Sequence, residues 1–182
     1  TSYGTIAVTS TGGTIEDIDN ITPTAFEEPE ALIGFGTGGF ADVGSMDGTT
    51  GIKYSNPLLD TGMTVTAFYT PKMSGTDGTA EDGVGGDANA DRGDGYSVVL
   101  RGNPMNIIDG IDIALGYENI TNLSSTVEDE ESYTAALNYT YGQLKVGAQM
   151  GVNTTGNTTV TGTPTNADWY KNTYFGAAYA VN

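Results

Sequence analysis

The amino-acid sequence predicts an all-β fold, a transmembrane antiparallel up-and-down β-barrel with about eight strands in this chain. Three observations predict it. Short segments alternate apolar with small or polar residues at a period of two, the mark of a sheet with one apolar and one wet face. These segments run to about nine residues, the length a tilted strand needs to cross a bilayer. Their connections alternate between tight and long, as they do where short turns form one rim of a barrel and long loops the other.

The expected strands cover 3–9, 50–56, 63–71, 95–102, 111–118, 132–141, 143–152 and 171–181. Over 95–102, Tyr96, Val98 and Leu100 share one face, with Ser97, Val99 and Arg101 on the other. Over 111–118, Ile111, Ile113, Leu115 and Tyr117 oppose Asp112, Ala114, Gly116 and Glu118. The next pair repeats the pattern, with Tyr133, Ala135, Leu137, Tyr139 and Tyr141, then Leu144, Val146, Ala148, Met150 and Val152, on the apolar parity. The tight links are 56–62, 103–110 and 141–143, whose Asn-Pro, Asp-Gly and Gly content is turn chemistry. The long links are 10–49, 72–94, 119–131 and 153–170, and they hold most of the Gly, Asn, Thr, Asp and Glu.

Tyr69, Tyr96, Tyr117 and Tyr133 fall at strand ends near long links, and Tyr54 and Tyr141 near tight ones. All six lie on the apolar parity, as two aromatic girdles require. The alternative is that tyrosine simply favours strands. Lys53, Arg101 and Lys145 lie on the polar parity, whereas a basic residue facing lipid near the midplane costs about 2–4 kcal/mol. Lys171 shares the apolar parity only at a strand end, where it can snorkel.

Composition excludes several function classes. The 182 residues suit one domain, and 6 Lys and Arg against 23 Asp and Glu leave a formal charge of −17. Nucleic acid is a poor partner for such a chain, because phosphate binding depends on basic residues. There is no cysteine, hence no disulfide, thiol nucleophile or thiolate metal site. With no histidine either, a Ser-His-Asp or Cys-His arrangement cannot be built, and the chain is not expected to be an enzyme. No apolar stretch approaches the roughly 20 residues of a membrane helix, which does not weigh against strands that are apolar only at alternate positions.

On these residues the chain resembles a general diffusion porin of Gram-negative outer membranes, alphaproteobacterial type. The likeness is carried by the run Tyr3-Gly4-Thr5-Ile6-Ala7-Val8-Thr9-Ser10-Thr11-Gly12-Gly13-Thr14-Ile15-Glu16-Asp17, similar to the strand that enters the inward-folded constriction loop of that family. The hairpins over 51–71, 96–118 and 133–152 resemble consecutive porin hairpins. The resemblance implies a single β-barrel domain over 1–182, with 10–49 as the constriction loop, and a homotrimer. It also implies about sixteen strands in a whole chain, so that this one is a partial chain lacking strands at both ends. The small inward positions Thr64, Thr66, Ser97, Ala114, Gly116, Thr134, Ala136, Gly147, Gly151, Gly176 and Ala178 suit the wall of a wide, watery barrel better than a narrow, filled one.

The expected function is passive diffusion of small hydrophilic solutes and ions across the outer membrane, among lipid and lipopolysaccharide. The first long link carries Glu16, Asp17, Asp19, Glu27, Glu28 and Glu30. The resemblance implies that Glu16, Asp17, Asp19, Glu27 and Glu28 line the constriction, opposed by Lys53, Arg101 and Lys145 on the wall. The resulting transverse field biases passage toward cations. The alternative is that these acids are solvated loop residues, as charge runs usually are. Asp87, Asn89 and Asp91 have the spacing that opens a calcium loop, although Arg92 stands where glycine is wanted and no bidentate Glu follows. No other cofactor is expected. Two further possibilities stay open: a secreted acidic all-β surface protein that binds divalent cations through Asp-rich loops, and a complete small eight-stranded outer-membrane barrel.

Overall fold

A computed structural model describes residues 3–10, 12, 14–19, 21, 23, 46, 49–71, 92–122, 128–154 and 169–181, with only the backbone of Glu16, Asp19 and Tyr170. Within them the chain is one antiparallel sheet of eight strands in sequence order. The strands are β1 (Thr5–Thr9), β2 (Gly51–Leu58), β3 (Met63–Thr70), β4 (Arg92–Gly102), β5 (Ile111–Asn122), β6 (Glu130–Tyr141), β7 (Leu144–Thr154) and β8 (Trp169–Tyr179). Every strand pairs with its sequence neighbour, and β1 and β8 form the two edges of an open sheet. A four-residue helix, α1 (Glu16–Asp19), follows β1.

All eight expected segments are strands. Period-two patterning is a strong signal here, because slipping the register by one residue would exchange the faces of a whole strand. The register pairs like with like: Val98 with Tyr117, Leu115 with Ala135, and Leu137 with Ala148. The tight turns also stand as expected. Between β6 and β7 the turn is Gly142-Gln143, and Gly142 has φ 58°, the left-handed value required at the first position of a type II′ hairpin. Pro57 lies inside β2, which is tolerable because β1 begins with Thr5 opposite Ser55 and leaves the stretch of β2 beyond it at an edge.

The boundaries differ most between β5 and β6. Residues 119–131 read as a long loop from their polar composition, yet Asn119 pairs with Glu131 and Ile120 with Glu130. Strand pairing continues through polar residues, and the connection shrinks to 123–129. At its start β4 gains Arg92 to Asp94 through a bulge between Arg92 and Gly95.

The two faces are dressed in the reverse of a water-soluble sheet. Val98, Leu115, Leu137 and Val146 are 39%, 49%, 49% and 37% exposed, and Ile6, Val8, Met150 and Phe175 on the same side are open too. Apart from Met63 at the start of β3, the buried strand residues lie on the polar side. One apolar cluster joins Ile15, Ile18 and Ile21 to Val99, Ala114 and Ala136, and a second joins Met46 to Phe68 and Ile120. What the sheet buries is therefore chain from the first long link, laid across its polar face.

Candidate functional site

The site begins with the segment after β1. Ile15, just before α1, and Ile18 within it are three residues apart, so they point the same way, and both are fully buried. They rest on Val99 of β4, Ala114 of β5 and Ala136 of β6. The entry to the turn is fixed by Thr14, whose backbone N–H donates to Ser97 Oγ at 2.9 Å. The two hydroxyls of Thr14 and Ser97 share a further hydrogen bond of 2.9 Å. The segment continues over β7, where Pro23 lies against Gly147. Gly12 is tied to the returning end of the link by an N–H bond to the Thr49 carbonyl, 3.2 Å.

This placement brings Asp17 of α1 within reach of the basic residues of the sheet. Its carboxylate meets Lys53 Nζ of β2 at 3.0 Å, with the Asp17 side chain 60% exposed. An ion pair this open is worth about 0–1 kcal/mol, so it locates charge more than it stabilises the fold. Beside it runs a cleft of about 340 Å³ lined by Asp17, Thr64, Thr66, Val99 and Arg101. Arg101 is held on the wall by Asp112 of β5, with Nη2 donating to Oδ2 at 2.8 Å and Nε at 3.1 Å. The cleft thus has an acid on its loop side and a base on its wall, with threonine hydroxyls between them.

Of the residues singled out in the sequence, the structure brings together Asp17, Lys53 and Arg101. Lys145 faces the same side but pairs across the sheet with Thr140 and Ala178, is exposed, and has no ion pair among the described residues. Glu16 and Asp19 lie in α1, their side chains outside the description, and Glu27 and Glu28 lie outside the described residues, as do Asp87, Asn89 and Asp91. Among the described residues, no group of three or more acidic, histidine or cysteine side chains gathers as a metal site. Asp112 was missed as a functional residue. Its polar parity was visible, but only the register, which sets it diagonal to Arg101, makes the two a pair. Arg92 and Glu130 were missed for the same reason: their bidentate pair, 2.9 and 2.8 Å, reaches across β5.

The small inward residues also take a different role from the one expected. Ala114 and Ala136 do not face open water; they are covered by Ile15 and Ile18. Small side chains there make room for the segment that crosses the wall.

On the opposite, apolar face, tyrosines form a belt at the long-link ends of β3 to β6. Tyr69 pairs with Tyr96, and Tyr117 with Tyr133. Ring centroids lie 5.9 Å apart for Tyr96 and Tyr117 and 5.0 Å for Tyr117 and Tyr133. The Tyr117 and Tyr133 hydroxyls donate to the Glu131 carboxylate at 3.0 and 2.9 Å. At the other rim Tyr141 and Tyr179 flank Leu144. Tyr54 is instead mid-strand, its hydroxyl donating to the Tyr3 carbonyl at 3.3 Å. No helix among the described residues is long and apolar enough to cross a membrane, which says nothing of strands. Neither known protein families nor curated proteins gave a match to this chain.

Proposed function

We propose that this chain forms the wall of a porin in the outer membrane of a Gram-negative bacterium, a water-filled path for small hydrophilic solutes and ions. One observation carries the proposal: the apolar face of the sheet is uncovered, while a charged segment is folded onto the polar face. In water, each large apolar side chain left open forgoes about 1.5–3 kcal/mol of burial. A continuous patch of them is what a surface built for hydrocarbon looks like. Antiparallel ladders satisfy the strands' backbone groups internally, which hydrocarbon demands. Strands β4 to β8 reach 11 or 12 residues, enough to cross a bilayer with tilt.

The edges of β1 and β8 cannot be left open in lipid, and the porin likeness implies that they are closed within a barrel of about sixteen strands. A homotrimer embedded among lipid and lipopolysaccharide follows from the porin likeness. In the lumen, Asp17 on the loop and Lys53 and Arg101 on the wall set a transverse field, and the acids of the 10–49 link bias passage toward cations. The reaction class is diffusion, with no catalytic step. Purified protein added to a planar bilayer is expected to give discrete conductance steps, with a reversal potential of cation-preferring sign in a KCl gradient. A protein that stays soluble and monomeric without detergent, and produces no steps, would defeat the proposal.

A further inference from the structure

We infer that Gly116 of β5, with Ser97 of β4 as its anchor, sets the aperture of the pore by fixing how close α1 lies to the wall. The inference rests on the pore reading above and adds a positioning role for wall residues that never touch a permeating solute. A Cβ placed on Gly116 would come within 2.9 Å of both Ile15 Cγ1 and Ile18 Cδ1, and 2.8 Å of Thr134 Cγ2. The two isoleucines cannot swing aside, because both are fully buried between α1 and the wall. Gly147 repeats the arrangement two strands on: a Cβ there would meet Pro23 Cδ at 2.6 Å and collide with the Asn138 side chain. The segment is thus seated against bare backbone at two places, with Ala114 and Ala136 completing the seat. A side chain added at Gly116 forces a neighbour to give way, and with Thr134 held in the adjacent strand α1 yields by lifting off the wall and into the lumen.

Ser97 fixes the other coordinate. Its hydroxyl holds both the backbone N–H and the side chain of Thr14, the residue that leads into α1. Depth is therefore set by Gly116 and lateral position by Ser97, and the Asp17–Lys53 pair forms where these two constraints leave it.

The test combines steric compensation with a cross-link. Gly116→Val should lower single-channel conductance about twofold, since a layer of methyl groups takes a large share of a narrow aqueous passage. Adding Ile18→Ala to Gly116→Val returns volume beneath the helix and should restore conductance toward the parent value, the coupling expected of side chains in contact. Thr14→Cys with Ser97→Cys introduces the chain's only thiols. They replace hydroxyls 2.9 Å apart, within reach of a disulfide. Oxidation should close the bond, read by loss of thiol labelling, and leave conductance unchanged, because the segment already lies there. Failure of the thiols to join overturns the inference, as does a conductance drop on oxidation. So does a folded Gly116→Val protein with parental conductance, or one that Ile18→Ala does not restore. If the parent protein forms no channels while the cross-link still closes, the pore reading itself fails and takes the aperture role with it.

Discussion

At Asp17 a single carboxylate stands between the loop and the basic wall, and its value lies in where it puts charge. It is more exposed than Lys53, so it is screened by water, and in the proposed pore its field is worth roughly 0.6 kcal/mol to an ion about 7 Å away at water's dielectric constant. The cation loses this attraction and the anion escapes an equal repulsion, so Asp17→Asn should lower the cation-to-anion permeability ratio about sevenfold, read as a shift in reversal potential under a KCl gradient. The Arg101–Asp112 pair makes a second residue-level case. Its charges cancel within the wall, so removing either one unmasks the other beside the cleft. Asp112→Asn should shift selectivity toward anions and Arg101→Gln toward cations, while the double variant returns near the parent. Opposite shifts that sum to zero in the double variant are what two cancelling charges give, and a double variant far from that sum would show that losing one partner displaces the other.

At the scale of elements, the 10–49 link and the wall divide the work. If the chain is the proposed pore, neutralising Glu16, Asp17, Asp19, Glu27 and Glu28 together should abolish cation preference while leaving conductance steps intact, because the sheet itself is untouched. An unchanged reversal potential would make these acids ordinary solvated loop residues. The wall has its own clamp in Arg92–Glu130, which ties the bulged start of β4 to β6 over β5, with both side chains largely buried. Glu130→Gln should lower the urea midpoint of the vesicle-folded protein by an amount equivalent to about 2 kcal/mol, the range for a charged hydrogen-bonded partner. The strands were legible because alternation survives without knowledge of neighbours: Tyr96, Val98 and Leu100 declare a face on their own. What was not legible depends on pairing between distant residues. Asn119 and Glu131 look like loop until each is the other's partner, and Asp112 looks like any polar-face acid until register sets it by Arg101. Gly116 and Ala136 read as water-facing for the same reason, since nothing local says that Ile15 and Ile18 will lie on them.

For the whole molecule, the question is which side of the sheet meets hydrocarbon, and one pair of substitutions separates the answers by sign. Leu115 is 49% exposed on the apolar face, and Thr66 lines the cleft on the polar face. If Leu115 meets lipid near the midplane, Leu115→Arg costs about 2–4 kcal/mol, whereas Thr66→Arg enters a wet lumen and costs little. If the same surface meets water, Leu115→Arg is a substitution at an exposed site and stays within about 0.5 kcal/mol. In that case Thr66→Arg becomes the costlier of the two, because the small cost of crowding a charge beside Arg101, the same in either reading, is no longer outweighed by that at Leu115. Urea midpoints of the two variants, folded into phospholipid vesicles beside the parent, read the difference directly. A large loss at Leu115 and a small one at Thr66 places the apolar face in the bilayer. The reverse order would return the sheet to water, and with it the tyrosine belt, the inward loop and the transverse charges would lose their common explanation.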